Sequence, residues 1–338
     1  MKRKKRRNKN ILGILFCIMA FLFTSCSMKA KEPMSKTGIL LNTYVTITLY
    51  DHQDIELIEE CFDLCREYEE MFSRTIEGSE VSNFNQAEAG EYEVSKELYE
   101  LLKLAGEYSE LTEGAFDVTI EPVSSLWDFT ASEPVVPEKE AILEELEYVG
   151  YQNLKLESGT VKKEKNKTGI DLGAIAKGYI ADKIKEHLLA NGVESATIDL
   201  GGNILLIGGK PDGTDFKVGI QKPFEDRKEI IGMVPLKDYA AVSSGIYERC
   251  FTKDGVFYHH ILNPKTGYPC ESDLTAVTIL APDAARADAL STSCFILGKE
   301  KGKELIDSLE GVYGVFITKE GEVEYSEGFM EKFGELTN

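Results

Sequence analysis

Apolar positions recur along the chain with a spacing that changes from segment to segment. Residues 44–50 alternate β-branched and aromatic side chains with polar ones, which predicts a strand. From Ile55 to Phe72 the apolar positions Leu57, Ile58, Cys61, Phe62, Leu64, Cys65, Tyr68 and Met71 keep helical spacing, and 94–111 does the same. Pro137 stands where a helix would start, predicting a third helix over 137–146. Strands are expected at 154–157, 161–165 and 169–172, then a helix over 174–190. Residues 196–200 and 204–207 flank Gly201-Gly202 as strands flank a tight turn. Further strands are expected at 216–220, 230–235, 240–242, 259–262, 274–280 and 312–317, with helices at 283–297 and 301–309. Elements mixed in this way predict an α+β fold, a single two-lobed domain over residues 38–338.

The first residues follow another pattern. Residues 1–10 hold seven Lys or Arg and no acid, residues 11–23 are apolar, and Thr24-Ser25-Cys26 follows. A charged start, an apolar segment and small residues form a secretory signal. The apolar run is shorter than the roughly 20 residues a membrane span needs. Cys26 after small residues is similar to a bacterial lipobox, in which the thiol is acylated and becomes the mature N-terminus. Phe23 stands where that motif usually has Leu. The expectation is a lipoprotein signal at 1–25 and a lipid-anchored tether at 26–37. The folded domain would then lie in the bacterial cell envelope, outside the cytoplasm. An uncleaved anchor and an ordinary signal are the alternatives.

Charge sharpens this picture. The chain has 38 basic and 58 acidic residues, net −20. Removing residues 1–25 takes away seven bases and no acids, leaving 31 against 58, or −27. So acidic a protein is unsuited to nucleic acid, which needs Lys and Arg to displace counterions. It is also repelled by anionic lipids, so membrane contact should come from the lipid anchor alone. Cys61, Cys65, Cys250, Cys270 and Cys294 read as mostly buried thiols, with room for one disulfide that the sequence does not assign.

Phosphate-loop, dinucleotide-fold, zinc-protease and serine-elbow motifs are absent from the sequence. Residues 169–179 instead carry three glycines into a helix, where backbone can approach a ligand and free amides can meet phosphate. Asp288 and Thr292, four apart, share a helical face, and a carboxylate and hydroxyl so placed suit a hard cation if a third group closes the site.

With Ser79–Asn85, Gly114–Thr119, Asp199–Asn203, Val218–Gln221, Ser243–Arg249 and His260–Pro269, these segments resemble, in order, the ApbE family of FAD:protein FMN transferases. The likeness spans roughly residues 38–327. It implies Mg²⁺ held by the Ala174 carbonyl, the Asp288 carboxylate and the Thr292 hydroxyl, with FAD as substrate. Lys177 should face the flavin nucleotide, and Asn85, Asp117 and Ser243 are further FAD contacts by match of position. His260 is the implied proton acceptor, with Asp288 as the alternative base. The implied reaction moves FMN from FAD to a threonine of an exported acceptor protein, releasing AMP. Asn263 and Ile246 depart from the family pattern, and neither is a proposed ligand. A hydrolase cleaving FAD to FMN and AMP, and a solute-binding lipoprotein, are the rival readings.

Overall fold

The computed structural model describes residues 32–224 and 229–337, so the expected signal, Cys26 and the first part of the tether lie outside the described residues. The tether is corrected at its end, because residues 34–37 already belong to a strand, β1 (Met34–Leu40). It pairs antiparallel with β2 (Thr43–Leu49), the strand expected at 44–50. Helix α1 (Ile55–Phe72) has the expected bounds, and the Asp54 carboxylate caps it by accepting the Glu56 and Leu57 N–H groups at 3.0 and 3.1 Å. Ser79 caps α2 (Glu80–Gln86), Ser95 caps α3 (Lys96–Leu111), and β3 (Gly90–Glu93) lies between them. Such caps satisfy N–H groups that the first turn leaves free, each contributing about 1 kcal/mol. Next come α4 (Glu121–Ser124), α5 (Lys139–Leu146), β4 (Leu154–Glu157) and β5 (Thr160–Lys163), and β3-β5-β4 form a small sheet.

The remaining elements build the frame of the site. They are α6 (Ala176–Ala190), β6 (Ala196–Leu200), β7 (Asn203–Ile207), β8 (Phe216–Gln221), β9 (Ile230–Leu236) and β10 (Ala240–Gly245). After them run β11 (Cys250–Lys253), β12 (Val256–His259), β13 (Leu274–Ala281), α7 (Ala284–Leu297), α8 (Lys299–Asp307), β14 (Tyr313–Thr318), β15 (Val323–Tyr325) and α9 (Phe329–Phe333). An eight-stranded antiparallel sheet takes the order β1-β2-β6-β7-β10-β13-β14-β15. One face, with Ile47, Ile198, Leu205, Val242 and Val277, packs under α1, α6 and α7 in the main core. On the other face Leu206, Ala241, Leu280 and Val315 meet β8, β9 and Phe329. A third cluster joins Val123, Trp127, Ile142 and Leu262. Residues 33–338 form one compact unit.

Two expected strands are corrected. Residues 169–172 form none, because Asn85 and the Val118 carbonyl take backbone groups that a ladder would use. The strand expected at 259–262 ends at His259, and the chain then turns so that the Cys270 N–H donates to the Ile261 carbonyl. Cys61, Cys65, Cys250, Cys270 and Cys294 are all free thiols. Burial pushes Cys61 and Cys65 up to about 12 and Cys270 to about 11, which keeps them protonated and unreactive.

Candidate active site

Helices α6 and α7 cross where neither has a side chain in the way. A Cβ on Gly178 would lie 2.3 Å from the Ala284 carbonyl oxygen and 2.5 Å from the Ala285 Cα. Asp182, one turn on, accepts the Ala284 and Ala285 N–H groups at 2.8 and 2.9 Å and so ties α6 to the start of α7. This crossing brings Asp288, only 4% exposed, to the first turn of α6. Its Oδ2 accepts the Gly178 N–H at 3.0 Å, and its Oδ1 lies 3.9 Å from Lys177 Nζ. A regular helix would give the Gly178 N–H to the carbonyl four residues back, Ala174. Among the described residues no backbone N–H donates to that carbonyl.

Thr292 lies one turn further along α7, on the helical face it shares with Asp288. Its Oγ1 shares a hydrogen bond with Ser244 Oγ at 3.1 Å, Ser244 shares another with Ser291 at 2.7 Å, and Ser291 donates to the Asp288 carbonyl at 2.9 Å. A carbonyl, a carboxylate and a hydroxyl are the hard oxygen donors Mg²⁺ takes, with its other positions left to water and phosphate. The Ala174, Asp288 and Thr292 donor set therefore fits the cation. Among the described residues no group of three or more His, Cys, Asp or Glu could hold a metal, so a softer or histidine-rich centre is not formed there.

His260 follows β12, its backbone N–H donating to the Arg249 carbonyl at 3.1 Å. Burial, then the Arg249 charge and His259, pull its imidazole down to about 4, with Lys177 adding a smaller push in the same direction. The ring is therefore neutral near pH 7, and its Nδ1 is buried with no partner among the described residues. Lys177 thus acts electrostatically on both Asp288 and His260.

The other expected contacts stand apart from this cluster. Asn85 clamps the chain, with Nδ2 donating to the Ile170 carbonyl at 2.9 Å and Oδ1 accepting the Ile170 N–H at 2.7 Å. It positions the segment that leads into α6. Asp117 is buried and accepts the Thr119 N–H and hydroxyl and the Tyr151 N–H, at 2.8, 2.6 and 2.8 Å. Burial raises its carboxyl above the usual range, and the carboxylate caps the turn at Val118–Ile120. Ser243 is exposed and bonds Thr278 at 2.8 Å. Successive strand residues face opposite sides, so Ser243 points away from Thr292 while Ser244 points toward it.

Two residues escaped the sequence reading. Ser244 was legible only through strand parity once β10 was known to pack under α7. Asn203, 1% exposed, buries both amide atoms with no partner among the described residues. It lies opposite Val242 in the β7–β10 register, on the same face as Ser244. Its place directly after two positive-φ glycines, Gly201 and Gly202, was the available signal.

Fold and cluster together define an α+β protein with a buried oxygen-donor cluster, a lysine and a neutral histidine where two helices meet the sheet. Residues 41–317 match the ApbE family, and the chain belongs to it. Curated relatives named FAD:protein FMN transferase include one from Treponema pallidum, 33% identical, covering 95% of this chain and 94% of the relative. Another, from Klebsiella pneumoniae, is 33% identical and covers 91% and 96%. Among solved structures, the ApbE protein of Thermotoga maritima superposes with a TM-score of 0.82 at 34% identity, covering 89% of this chain and 99% of that one. The chain is a transferase.

Proposed function

We propose that this transferase moves the FMN half of FAD onto a threonine hydroxyl of an acceptor protein, with Mg²⁺ and with release of AMP. The observation that carries the reading is the buried Asp288, held by the Gly178 N–H and beside Lys177, whose charge also acts on the neutral His260. The names of the relatives supply FAD and the protein acceptor. Bound Mg²⁺ would neutralise charge developing on the pyrophosphate oxygens. Ala174, Asp288 and Thr292 would hold it.

The chain's own groups do the rest. Lys177 faces the nucleotide and offsets phosphate charge. The threonine oxygen bonds to the phosphorus of the FMN half, the bond from that phosphorus to the bridging oxygen breaks, and AMP carries the bridging oxygen away. His260 accepts the hydroxyl proton, for which its neutral ring has a free lone pair. The surroundings that keep it neutral also make it a weak base, so it accepts the proton as the forming P–O bond acidifies the hydroxyl. We further propose that the enzyme is exported and held at the membrane by a lipid on Cys26, the reading that the lipobox-like sequence supports.

Incubating the protein with FAD, Mg²⁺ and a threonine-bearing acceptor tests the reaction. Covalent flavin fluorescence on the acceptor in a denaturing gel is expected. Free FMN and AMP with an unlabelled acceptor would make the protein a hydrolase instead.

A further inference from the structure

The residue before His260 is itself a buried histidine, and both its ring nitrogens are engaged with the chain. The Ile261 N–H donates to His259 Nδ1 at 3.3 Å, and the other nitrogen, Nε2, meets the Cys270 carbonyl at 3.2 Å. A backbone N–H can only donate and a carbonyl can only accept, so the proton of the neutral ring sits on Nε2. Burial pulls this imidazole down to about 4, which leaves the ring neutral near pH 7 and Nδ1 free to accept. One tautomer satisfies both contacts; the other satisfies neither.

These bonds bear on His260 through the two peptide groups that flank it. Each peptide group is planar, so the two that meet at a Cα set that residue's φ and ψ. The group before the His260 Cα is held by its N–H, which donates to the Arg249 carbonyl at 3.1 Å. The group after it is held by the Ile261 N–H, on His259 Nδ1. With both planes held, the direction of the His260 Cα–Cβ bond is held too. The same ring ties this stretch to the helix that carries Asp288 and Thr292. It packs edge-on against Phe295, three residues after Thr292 on α7, at 5.7 Å between centroids. Its partner Cys270 donates its thiol to the Ile296 carbonyl of that helix at 3.6 Å.

We propose that His259 is a positioning residue: packed on α7 and accepting the Ile261 N–H, it holds the His260 backbone in the orientation that proton transfer uses. This assignment rests on the transfer reading above, in which His260 accepts the hydroxyl proton. A proton acceptor works only within hydrogen-bond reach of its proton. A misplacement of about 1 Å can lower a rate by about 10²-fold, so a group that only orients the acceptor still governs the rate.

Two substitutions in the full-length protein separate the bonds. His259→Asn puts Oδ1 as many bonds from Cβ as Nδ1 and so keeps an acceptor for Ile261. His259→Gln puts its Nε2 as far out as the ring Nε2, keeping the donor for Cys270 and losing that acceptor. FAD affinity is read by flavin fluorescence, and kcat by labelling at saturating FAD and acceptor, below each variant's unfolding midpoint. His259→Gln should lower kcat about tenfold or more with FAD affinity unchanged, and His259→Asn should keep most of the wild-type rate. In a His260→Ala background His259→Gln should lower the rate little further, since nothing is left to position. Unchanged kcat in His259→Gln, equal losses in both variants, FAD affinity falling in step, or a full further loss without His260 each overturns the assignment. Nitrogen NMR of the wild-type imidazoles needs neither variant to fold: a His259 proton on Nε2 is expected, and one on Nδ1 overturns the assignment. A wild-type protein that releases FMN and labels no acceptor removes the transfer reading alone. The same comparisons on FMN release then decide for or against His259, with water as the attacking group.

Discussion

His259 and His260 sit side by side, and burial holds both imidazoles down to about 4. In the unfolded chain they take up protons from about pH 6.5 downward. Between those values the unfolded state binds more protons than the folded one, so stability falls as pH drops through the window and is fully present above it. Denaturant midpoints should be lower at pH 5 than at pH 7, and His259→Gln should narrow that gap; an equal gap in the variant contradicts the assignment. For catalysis, His260→Ala should leave FAD affinity intact and lower the labelling rate by about 10²–10⁴-fold. Lys177→Ala should instead raise the FAD concentration needed. A position-260 variant that binds FAD poorly yet labels at full rate when saturated would make His260 a binding residue. At this scale helical spacing puts Asp288 and Thr292 on one face, whereas Lys177 and His260 come from the family resemblance alone. Asn85 and Asp117 were matched by position too, but whether a polar side chain serves a ligand or its own backbone depends on partners distant in sequence: Ile170 for the one, Tyr151 for the other.

The crossing of α6 and α7 is the element on which the cluster depends. Gly178→Ala sets a methyl against the backbone of Ala284 and Ala285, which cannot move aside as a flexible side chain could. Overpacking of this kind costs about 1–3 kcal/mol. It should also pull the Gly178 N–H off Asp288. A lower unfolding midpoint with weakened Mg²⁺ dependence is expected, and a variant with wild-type stability and activity would show that the helices do not need this approach. Helical periodicity gave the bounds of α1 without error, since the buried Leu57, Ile58, Cys61, Phe62, Cys65, Tyr68 and Phe72 fall on one face. Residues 169–172 look like a strand for an equally local reason, being Gly-Ile-Asp-Leu, yet their hydrogen bonds go to Asn85 and Val118 rather than to a neighbouring strand. β1 was missed because its exposed positions Ser35 and Thr37 are polar and fall in the expected tether; its inward face meets Phe62, whose ring would lie 2.6 Å from a Cβ on Gly38.

For the whole molecule, element content was legible and strand order was not. β2 pairs with β6, and three helices of ten or more residues, the small sheet and the Asn85–Ile170 clamp fall between them in the chain. No local pattern encodes so distant a pairing, since only the closed core selects it. At the same scale, Cys26→Ala should release the protein from membranes or stall its processing while leaving the folded domain active. Unchanged membrane retention with normal cleavage would count against acylation at that cysteine. The central claim, transfer rather than hydrolysis at the Asp288 cluster, is tested most directly by the intact mass of the acceptor. The measurement follows incubation with FAD and Mg²⁺, using wild-type protein or Asp288→Ala. With wild type the acceptor should gain one FMN less one water on a threonine, with one AMP released per label. With Asp288→Ala, which removes the charged ligand, it should gain nothing at ordinary Mg²⁺. An unmodified acceptor alongside FMN and AMP, or full labelling by Asp288→Ala, would contradict the account.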